Sequence, residues 1–495
     1  MSLSKRSLKL TQLLVLGLGY LAPSASLSAS ERPLAVDGWP LAETSADRVL
    51  LNQDAIMGTY VCPALTRLNL QTGSSELVLL AKLQSDKTRW SMTLKPAQTW
   101  WSGKPLEPKD IEAFLKQELP GLVKTIGNDR WTVPSFSVAV DGDGPGAAIT
   151  VLWEKAPEFG PYILNRLPLS RKGSEGLDCV GSLKPDKDDE SLTLEGRVGN
   201  KARRFVFNSP RDPAGPGAAT PFVSFRFGEE MHPKSWERQI EEELHCPQTL
   251  DLPVMTVIAW NPEGAFTKDE QFRKAMTYIL PRGALLRAGA GSLGDLVSAP
   301  ILREHPGYKR SLKVLPYDLK KADAILNQLG LVRSERDGYR RTQNGDFLEI
   351  AIATDRRHDS SLLRKVLDDS FRALGMKLRI VNKGEAADGM LAGIGGSWPE
   401  SDLAPLLHSK RSASVWPWSY QFADLDDAID SYNLSLTQLK PDFARLEAIH
   451  DLVFKKEPFS VLVQHKSCMQ YGKGMTSAKV ISVRNPDWIR GVLER

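Results

Sequence analysis

The chain has 495 residues, too many for one hydrophobic core, so two or three domains are expected. With 41% hydrophobic and 25% charged residues it is not an intrinsically disordered chain. A net charge of +4 over this length excludes a broadly basic face of the kind that nucleic acid or an anionic membrane selects, so no nucleic-acid partner is expected.

The first thirty residues stand apart. Lys5, Arg6 and Lys9 give a positive start, Leu13 to Leu21 an apolar run, and Ser24, Ala25, Ser26, Ser28, Ala29 and Ser30 a small-residue stretch. This order predicts a cleavable secretory signal peptide over 1–30, with the mature chain starting at Glu31. The apolar run falls short of the roughly 20 residues a spanning helix needs. Without it the balance is 61 Lys and Arg against 60 Asp and Glu. No cysteine precedes Cys62, so the expectation is a free periplasmic protein and not a lipoprotein. The four cysteines, Cys62, Cys179, Cys246 and Cys468, are too far apart for a compact zinc motif. In an oxidising compartment they allow three pairings, and spacing does not choose among them.

Along the chain, Leu77 to Leu94 reads as two strands around a turn at Gln84–Lys87, with Trp90, Met92 and Leu94 alternating on one face. Ile149, Val151 and Trp153 alternate again after a Gly- and Pro-rich loop at 142–146. Asp186–Glu190 reads as a solvated acidic loop. Phe272, Ala275, Met276 and Ile279 share a helical face. Asp318 caps a helix that buries Leu319, Ala322, Leu326 and Leu329, and Gly330 stops it. Asn344-Gly345 marks a tight turn. Phe347–Ala353, Ser360–Leu374 and Leu378–Val381 then form a strand–helix–strand unit with parallel strands. A last helix over Asp442–Lys455 is stopped by Pro458.

Several segments, in this order, resemble the peptide- and nickel-type extracellular solute-binding proteins of family 5. Leu65-Thr66-Arg67-Leu68 is similar to the family's "GLTR" turn. Trp90 to Pro96, then Trp100-Trp101-Ser102-Gly103-Lys104-Pro105-Leu106 and Pro108-Lys109-Asp110-Ile111, resemble its most recognisable block. Ala259-Trp260-Asn261-Pro262, Phe272-Arg273-Lys274-Ala275-Met276, Pro316-Tyr317-Asp318 and Lys456-Glu457-Pro458-Phe459 continue the match. Ser102-Gly103 stands where the family has "DG", and Cys179-Val180-Gly181-Ser182 stands near the place of its "GTGPY", so the chain resembles a divergent member.

The resemblance implies an α/β fold: a two-lobed periplasmic binding protein of type II, cluster C-like, with an inserted subdomain and a hinge. Residues 31–50, 171–258 and 459–495 would form lobe I, 51–170 the inserted subdomain and 259–458 lobe II. It implies a monomeric receptor that closes two lobes on a small molecule, foremost an oligopeptide, and delivers it to an inner-membrane ABC permease. In peptide-binding relatives a carboxylate just after a Gly-Trp pair holds the ligand's ammonium group. Here Gly396-Ser397-Trp398-Pro399-Glu400-Ser401-Asp402 offers Trp398, Glu400 and Asp402 for that place. Trp416, Trp418 and Tyr420 alternate along an extended stretch and suit either an aromatic cleft wall or the core.

No catalytic chemistry is written locally. The seven histidines are scattered without an HExxH pair, and there is no G-x-S-x-G elbow. Gly289 to Gly294 spells G-x-G-x-x-G, but a helical segment precedes it where a dinucleotide site needs a strand. The expectation is a binding protein with no cofactor, not an enzyme. The competing readings are a secreted hydrolase whose groups meet only in space, and a periplasmic ligand sensor uncoupled from transport.

Overall fold

The structure, a computed structural model, describes residues 34–37, 60–69, 72–142, 144, 146–173, 176–187, 191–198, 201–208, 222–227, 249–290, 294–354, 361–395 and 400–471. After strand β1 (Leu34–Asp37), the alternating segments form β2 (Thr66–Asn69), β3 (Ser74–Leu77), β4 (Leu80–Ser85) and β5 (Arg89–Leu94). The turn between β4 and β5 is built on Asp86, whose Oδ1 accepts from the Thr88 and Arg89 amides at 2.9 and 2.7 Å. It falls later than the Gln84–Lys87 turn expected from sequence, because Gln84 and Ser85 still pair with Ser91 and Trp90. The side chain of Asp86 supplies the local acceptor that ends the ladder.

Helix α1 (Pro108–Ile126) starts with a proline in its first turn and a capping box between Glu107 and Asp110. With β6 (Phe136–Asp141) and β7 (Ala148–Trp153) it completes a subdomain whose four-stranded sheet runs β4-β5-β7-β6. The alternating Trp90, Met92, Ile149, Val151 and Trp153 face inward with Ile111, Leu115 and Leu119 of α1, so period-2 and period-3.6 patterns meet in one core. Trp90 and Trp153 meet edge to face, 4.9 Å between ring centres.

A 3₁₀ turn (Pro161–Arg166) leads to the hairpin β8 (Ser170–Gly173) and β9 (Gly176–Cys179). Cys62 and Cys179 are bonded, which selects one of the pairings left open by sequence; Cys246 lies outside the described residues. Beside this disulfide the backbones are in close contact. A Cβ on Gly181 would sit 2.0 Å from the Val61 carbonyl oxygen, so only glycine fits. Trp101 Nε1 donates to the Gly181 carbonyl and the Ser102 hydroxyl to Asp178, both across the same junction.

Next come β10 (Leu183–Lys187), β11 (Ser191–Val198), β12 (Lys201–Asn208), β13 (Phe222–Phe227) and the long β14 (Thr249–Trp260). The acidic run expected as a loop at Asp186–Glu190 contributes its first two residues to β10, where Asp186 and Lys187 pair with Thr193 and Leu192. Helices α2 (Glu270–Tyr278) and α3 (Arg282–Ala290), the short β15 (Gly294–Asp295) and α4 (Leu319–Gln328) follow. Asp318 accepts from the Lys321 amide at 2.9 Å, and Gly330 takes a left-handed φ of 77°, as the sequence predicts. Strand β16 (Glu349–Thr354), helix α5 (Ser361–Ala373) and strand β17 (Lys377–Asn382) form the expected unit, with β16 and β17 parallel. Strand β18 (Gly389–Gly395), helices α6 (Ala404–Leu407), α7 (Ala423–Leu436) and α8 (Phe443–Lys456), and the long β19 (Phe459–Tyr471) complete the described chain.

Among the described residues one eleven-stranded sheet runs β10-β11-β12-β1-β13-β19-β14-β18-β16-β17, with β15 added beside β19. Strands β14 and β19 are antiparallel neighbours at its centre, and each pairs onward to a different half: β19 with β13, β14 with β18. Their mutual ladder shifts register between Asp251 and Met255, where Pro253 has no N–H to give.

The exit of α8 into β19 is pinned by Arg273, a buried side chain of α2 that donates to the carbonyls of Thr267, Lys268, Lys456 and Glu457. Glu457 itself takes a left-handed φ of 46° and is buried, and burial pushes its carboxyl up to about 7 against the pull of Thr277 and Arg282.

Two outcomes test this account. Removing the disulfide by Cys62→Ser is expected to cost about 2–5 kcal/mol, read as a lower melting temperature. For Glu457, the folded protein holds its proton more tightly than the unfolded chain does. Its contribution is therefore present at low pH and lost as pH rises from the ordinary carboxylate range through about 7. Buried His450, pulled down to about 4 by burial, slopes the other way, losing stability as pH falls below 6.5. The difference in melting temperature between Glu457→Gln and wild type isolates the first group. It should grow in favour of the variant from pH 4.5 to 7 and stay flat above, by at most about 3 kcal/mol.

Candidate ligand cleft

Parallel strands β16 and β17 end together at the paired Thr354 and Asn382, while β18, whose Leu391 is level with Thr354, runs on to Gly395, and in open α/β sheets ligands bind beyond such carboxyl ends. Gly395 pairs with Val254, next to the register shift in the β14–β19 ladder. The end of β18 therefore lies where the two halves of the sheet join. The loop after β18 carries the candidate residues from sequence. Trp398 lies outside the described residues. Glu400 and Asp402 flank Ser401, which is buried with a left-handed φ of 51°, a strained backbone for a non-glycine residue.

Helix α7 holds the loop from behind. The Tyr432 hydroxyl donates to the Glu400 carbonyl at 2.8 Å, and the Asn433 amide donates to Asp402 Oδ1 at 3.3 Å. Burial raises the Tyr432 hydroxyl well above its ordinary value, so it stays a donor. Asp402 Oδ1 also accepts from the Ala404 amide at the start of α6, at 3.0 Å.

The other carboxylate oxygen faces the subdomain. Arg166, last residue of the 3₁₀ turn, donates Nη2 to Asp402 Oδ2 at 2.7 Å, and Arg411 Nη1 reaches the same oxygen at 3.4 Å. Burial alone would push the Asp402 carboxyl up; the guanidiniums of Arg166 and Arg411, with the Ala404 and Asn433 donors, outweigh it and hold the group below the usual range. Burial likewise pulls the Arg166 guanidinium down, and Asp402 and Glu400 outweigh it. Arg166 Nη1 is buried without a hydrogen-bond partner.

The same seam continues along α7. Arg130 reaches Asp430 at 2.8 Å and Asp427 at 2.6 Å, and the Asn128 side chain donates to Asp430. His408 Nδ1 accepts from the Lys410 amide, which places the ring proton on Nε2, 3.4 Å from Asp430. Gly160 donates its amide to Thr437 Oγ1 at 3.0 Å, and a Cβ there would be 2.6 Å from the Thr437 carbonyl oxygen. Leu434 packs on the subdomain core.

The aromatic trio stands elsewhere. Trp416, Trp418 and Tyr420 are at most 7% exposed and belong to the hydrophobic core of the half that carries β16–β18, so they form no open wall. Trp416 Nε1 donates to the Leu406 carbonyl, and its ring lies 5.5 Å from Phe459. The Tyr420 hydroxyl donates to the Trp260 carbonyl, anchored against the crossing strands. Burial raises this hydroxyl. Their period-2 spacing reflects packing on β14 and β19, the usual fate of large aromatics. Trp100 is also buried, under the Arg171 guanidinium and donating Nε1 to Asp110. The sequence missed Arg166, Arg130 and Arg411, because an arginine in a loop or 3₁₀ turn has no periodic signature.

Comparisons with known proteins agree with this architecture. Residues 229–437 match the family model for bacterial extracellular solute-binding proteins, family 5, middle region. These residues, the middle of the chain, are similar to that family's middle region. A search of curated protein sequences finds no match. Among solved structures, the periplasmic oligopeptide-binding protein of an oligopeptide ABC transporter from Thermotoga maritima is similar at a TM-score of 0.69 and 15% identity, covering 94% of this chain and 98% of that one. NikZ from Campylobacter jejuni, in complex with Ni(L-His), gives 0.67 at 15% identity, covering 94% and 99%. The ABC transporter-associated periplasmic binding protein DppA from Helicobacter pylori, in complex with the peptide STSA, gives 0.65 at 14% identity, covering 93% and 98%. The expected fold is thus the observed one: the two-lobed α/β fold of the periplasmic binding proteins that the chain resembles.

Asp402→Ala should leave Arg166 buried without its principal acceptor and cost roughly 3–5 kcal/mol in urea unfolding. A loss under 1 kcal/mol would show that the pair forms no buried contact in solution.

Proposed function

We propose that this chain is the solute receptor of an ABC importer and that it encloses an oligopeptide or similar small solute between its two lobes. Residues 31–50, 171–258 and 459–495 form one lobe and 259–458 the other, with β14 and β19 as the connecting strands. The observation that carries this reading is Asp402: a buried carboxylate beside the strained Ser401, a few residues beyond the carboxyl end of β18, whose last residue pairs beside the register shift where the two halves of the sheet meet. Closure works by population shift, since a solute that contacts both lobes binds the closed state better. The Cys62–Cys179 bond supports an oxidising compartment, in agreement with the leader read from sequence and a periplasmic location. Among the described residues no helix is long and apolar enough to cross a membrane.

Native mass spectrometry of the protein purified from its own periplasm is the direct test. A peptide adduct lost on denaturation is the expected result, and a nickel-containing adduct would replace the peptide by a chelate. Calorimetry against a tripeptide library should then give saturable binding without product formation. Hydrolysis of any library member would overturn the receptor reading in favour of a hydrolase. Normal uptake of the bound solute after deletion of the gene would favour a sensor.

A further inference from the structure

Asp402 is the carboxylate that the loop after β18 presents, yet its acceptor positions are filled by the protein itself. Oδ1 takes the Ala404 and Asn433 donors, and Oδ2 takes Arg166 and Arg411. A carboxylate has about four lone-pair sites, so a further cation enters only if one of these donors leaves. Three of the four belong to the same half of the molecule as Asp402: Ala404, Asn433 and Arg411 all lie between β18 and α8. Arg166 does not. It stands at the end of the 3₁₀ turn of the subdomain.

The Cys62–Cys179 bond and the contacts of Trp101, Ser102 and Gly181 clamp the β8–β9 hairpin to the subdomain, and just after Gly181 the chain enters β10 of the other half. Opening of the lobes cannot part that junction. The seam that can part is the non-covalent one between the subdomain and α7, and Arg166–Asp402 is its buried ion pair. We infer that Arg166 is a built-in occupant of Asp402: it latches the subdomain to the lobe that carries β18, and a cationic group of the solute takes its place on the carboxylate.

Two features suit an exchangeable pair better than a permanent one. Arg166 is incompletely satisfied, because Nη1 is buried with no acceptor, so its departure relieves an unpaired donor. Asp402 keeps a guanidinium when Arg166 leaves, because Arg411 comes from its own lobe, so the carboxylate is never an isolated buried charge. The seam also has a second, independent hold in Arg130 with Asp427 and Asp430, which does not touch Asp402. Arg166 therefore sets specificity: a solute with a free ammonium competes with it, and a solute without one does not.

The inference rests on the peptide reading above for its ligand, and the test separates the two. Full-length exported protein is compared as wild type, Arg166→Gln, Arg166→Lys and Arg130→Gln. Small-angle scattering of dialysed samples reads the separation of the bodies. Calorimetry reads trialanine and N-acetyl-trialanine. The expected result is a more extended scattering profile for Arg166→Gln and at least tenfold tighter binding of trialanine, with N-acetyl-trialanine unchanged. Arg166→Lys, which keeps the charge but not the forked geometry, should move the same way by less, and Arg130→Gln should leave the ratio of the two affinities as in wild type. An unchanged ratio in Arg166→Gln, or a scattering profile identical with wild type, overturns the latch. A shifted profile with neither peptide bound by any form supports the latch and overturns the peptide reading.

Discussion

The antiparallel pairing of β14 with β19 is the constraint on which the molecule depends. These are the longest described strands, and they are the places where one sheet passes from β13 on one side to β18 on the other. Backbone hydrogen bonds between neighbouring strands resist stretching and sliding but tolerate twist and bending. A ladder with a proline and a register shift in it concentrates that bending at one level. Gly395, the last residue of β18, pairs with Val254 at that level, so the crossing pair is the axis on which the two halves of the sheet are hung.

Around this axis the charged groups divide into two kinds. Arg273 is buried and spends its donors on carbonyls, tying α2 to the start of β19; buried Arg340 gives donors to the Leu331 and Leu374 carbonyls and also pairs with Asp323 of α4, so both act as clips. Each reaches several carbonyls at once, a use that the planar five-donor guanidinium permits and an ammonium does not. Arg130, Arg166 and Arg411 instead face carboxylates, and Arg130 and Arg166 do so across the seam between subdomain and lobe. Clips on carbonyls fix geometry whatever the surroundings. Pairs with carboxylates respond to salt, to acid and to a competing cation.

What the sequence revealed follows the same physical division. The strand–helix–strand unit, the Asp318 cap with its Gly330 stop, the Asp442 helix and the inward-facing Trp90 and Trp153 were all legible, because each rests on neighbours in sequence: period, cap or turn. The turn after β4 shifted because a single Asx acceptor outweighed the polarity of Gln84 and Ser85. The aromatic stripe at Trp416, Trp418 and Tyr420 was readable as a pattern but not as a destination: alternation says that one face is covered and cannot say by what. The partner of Asp402 was out of reach altogether, since Arg166 lies 236 positions away and nothing near it in the chain predicts the encounter.

The bond between Cys62 and Cys179 spans 117 positions, and the whole subdomain lies between its ends. Covalently, that module is a closed ring attached to the rest of the molecule at the disulfide. A protease that nicks any surface loop inside the ring therefore yields two pieces that stay covalently joined, and a reducing gel is required to see the cut. The ring turns a backbone break from a loss of the subdomain into a scar that leaves its core in place.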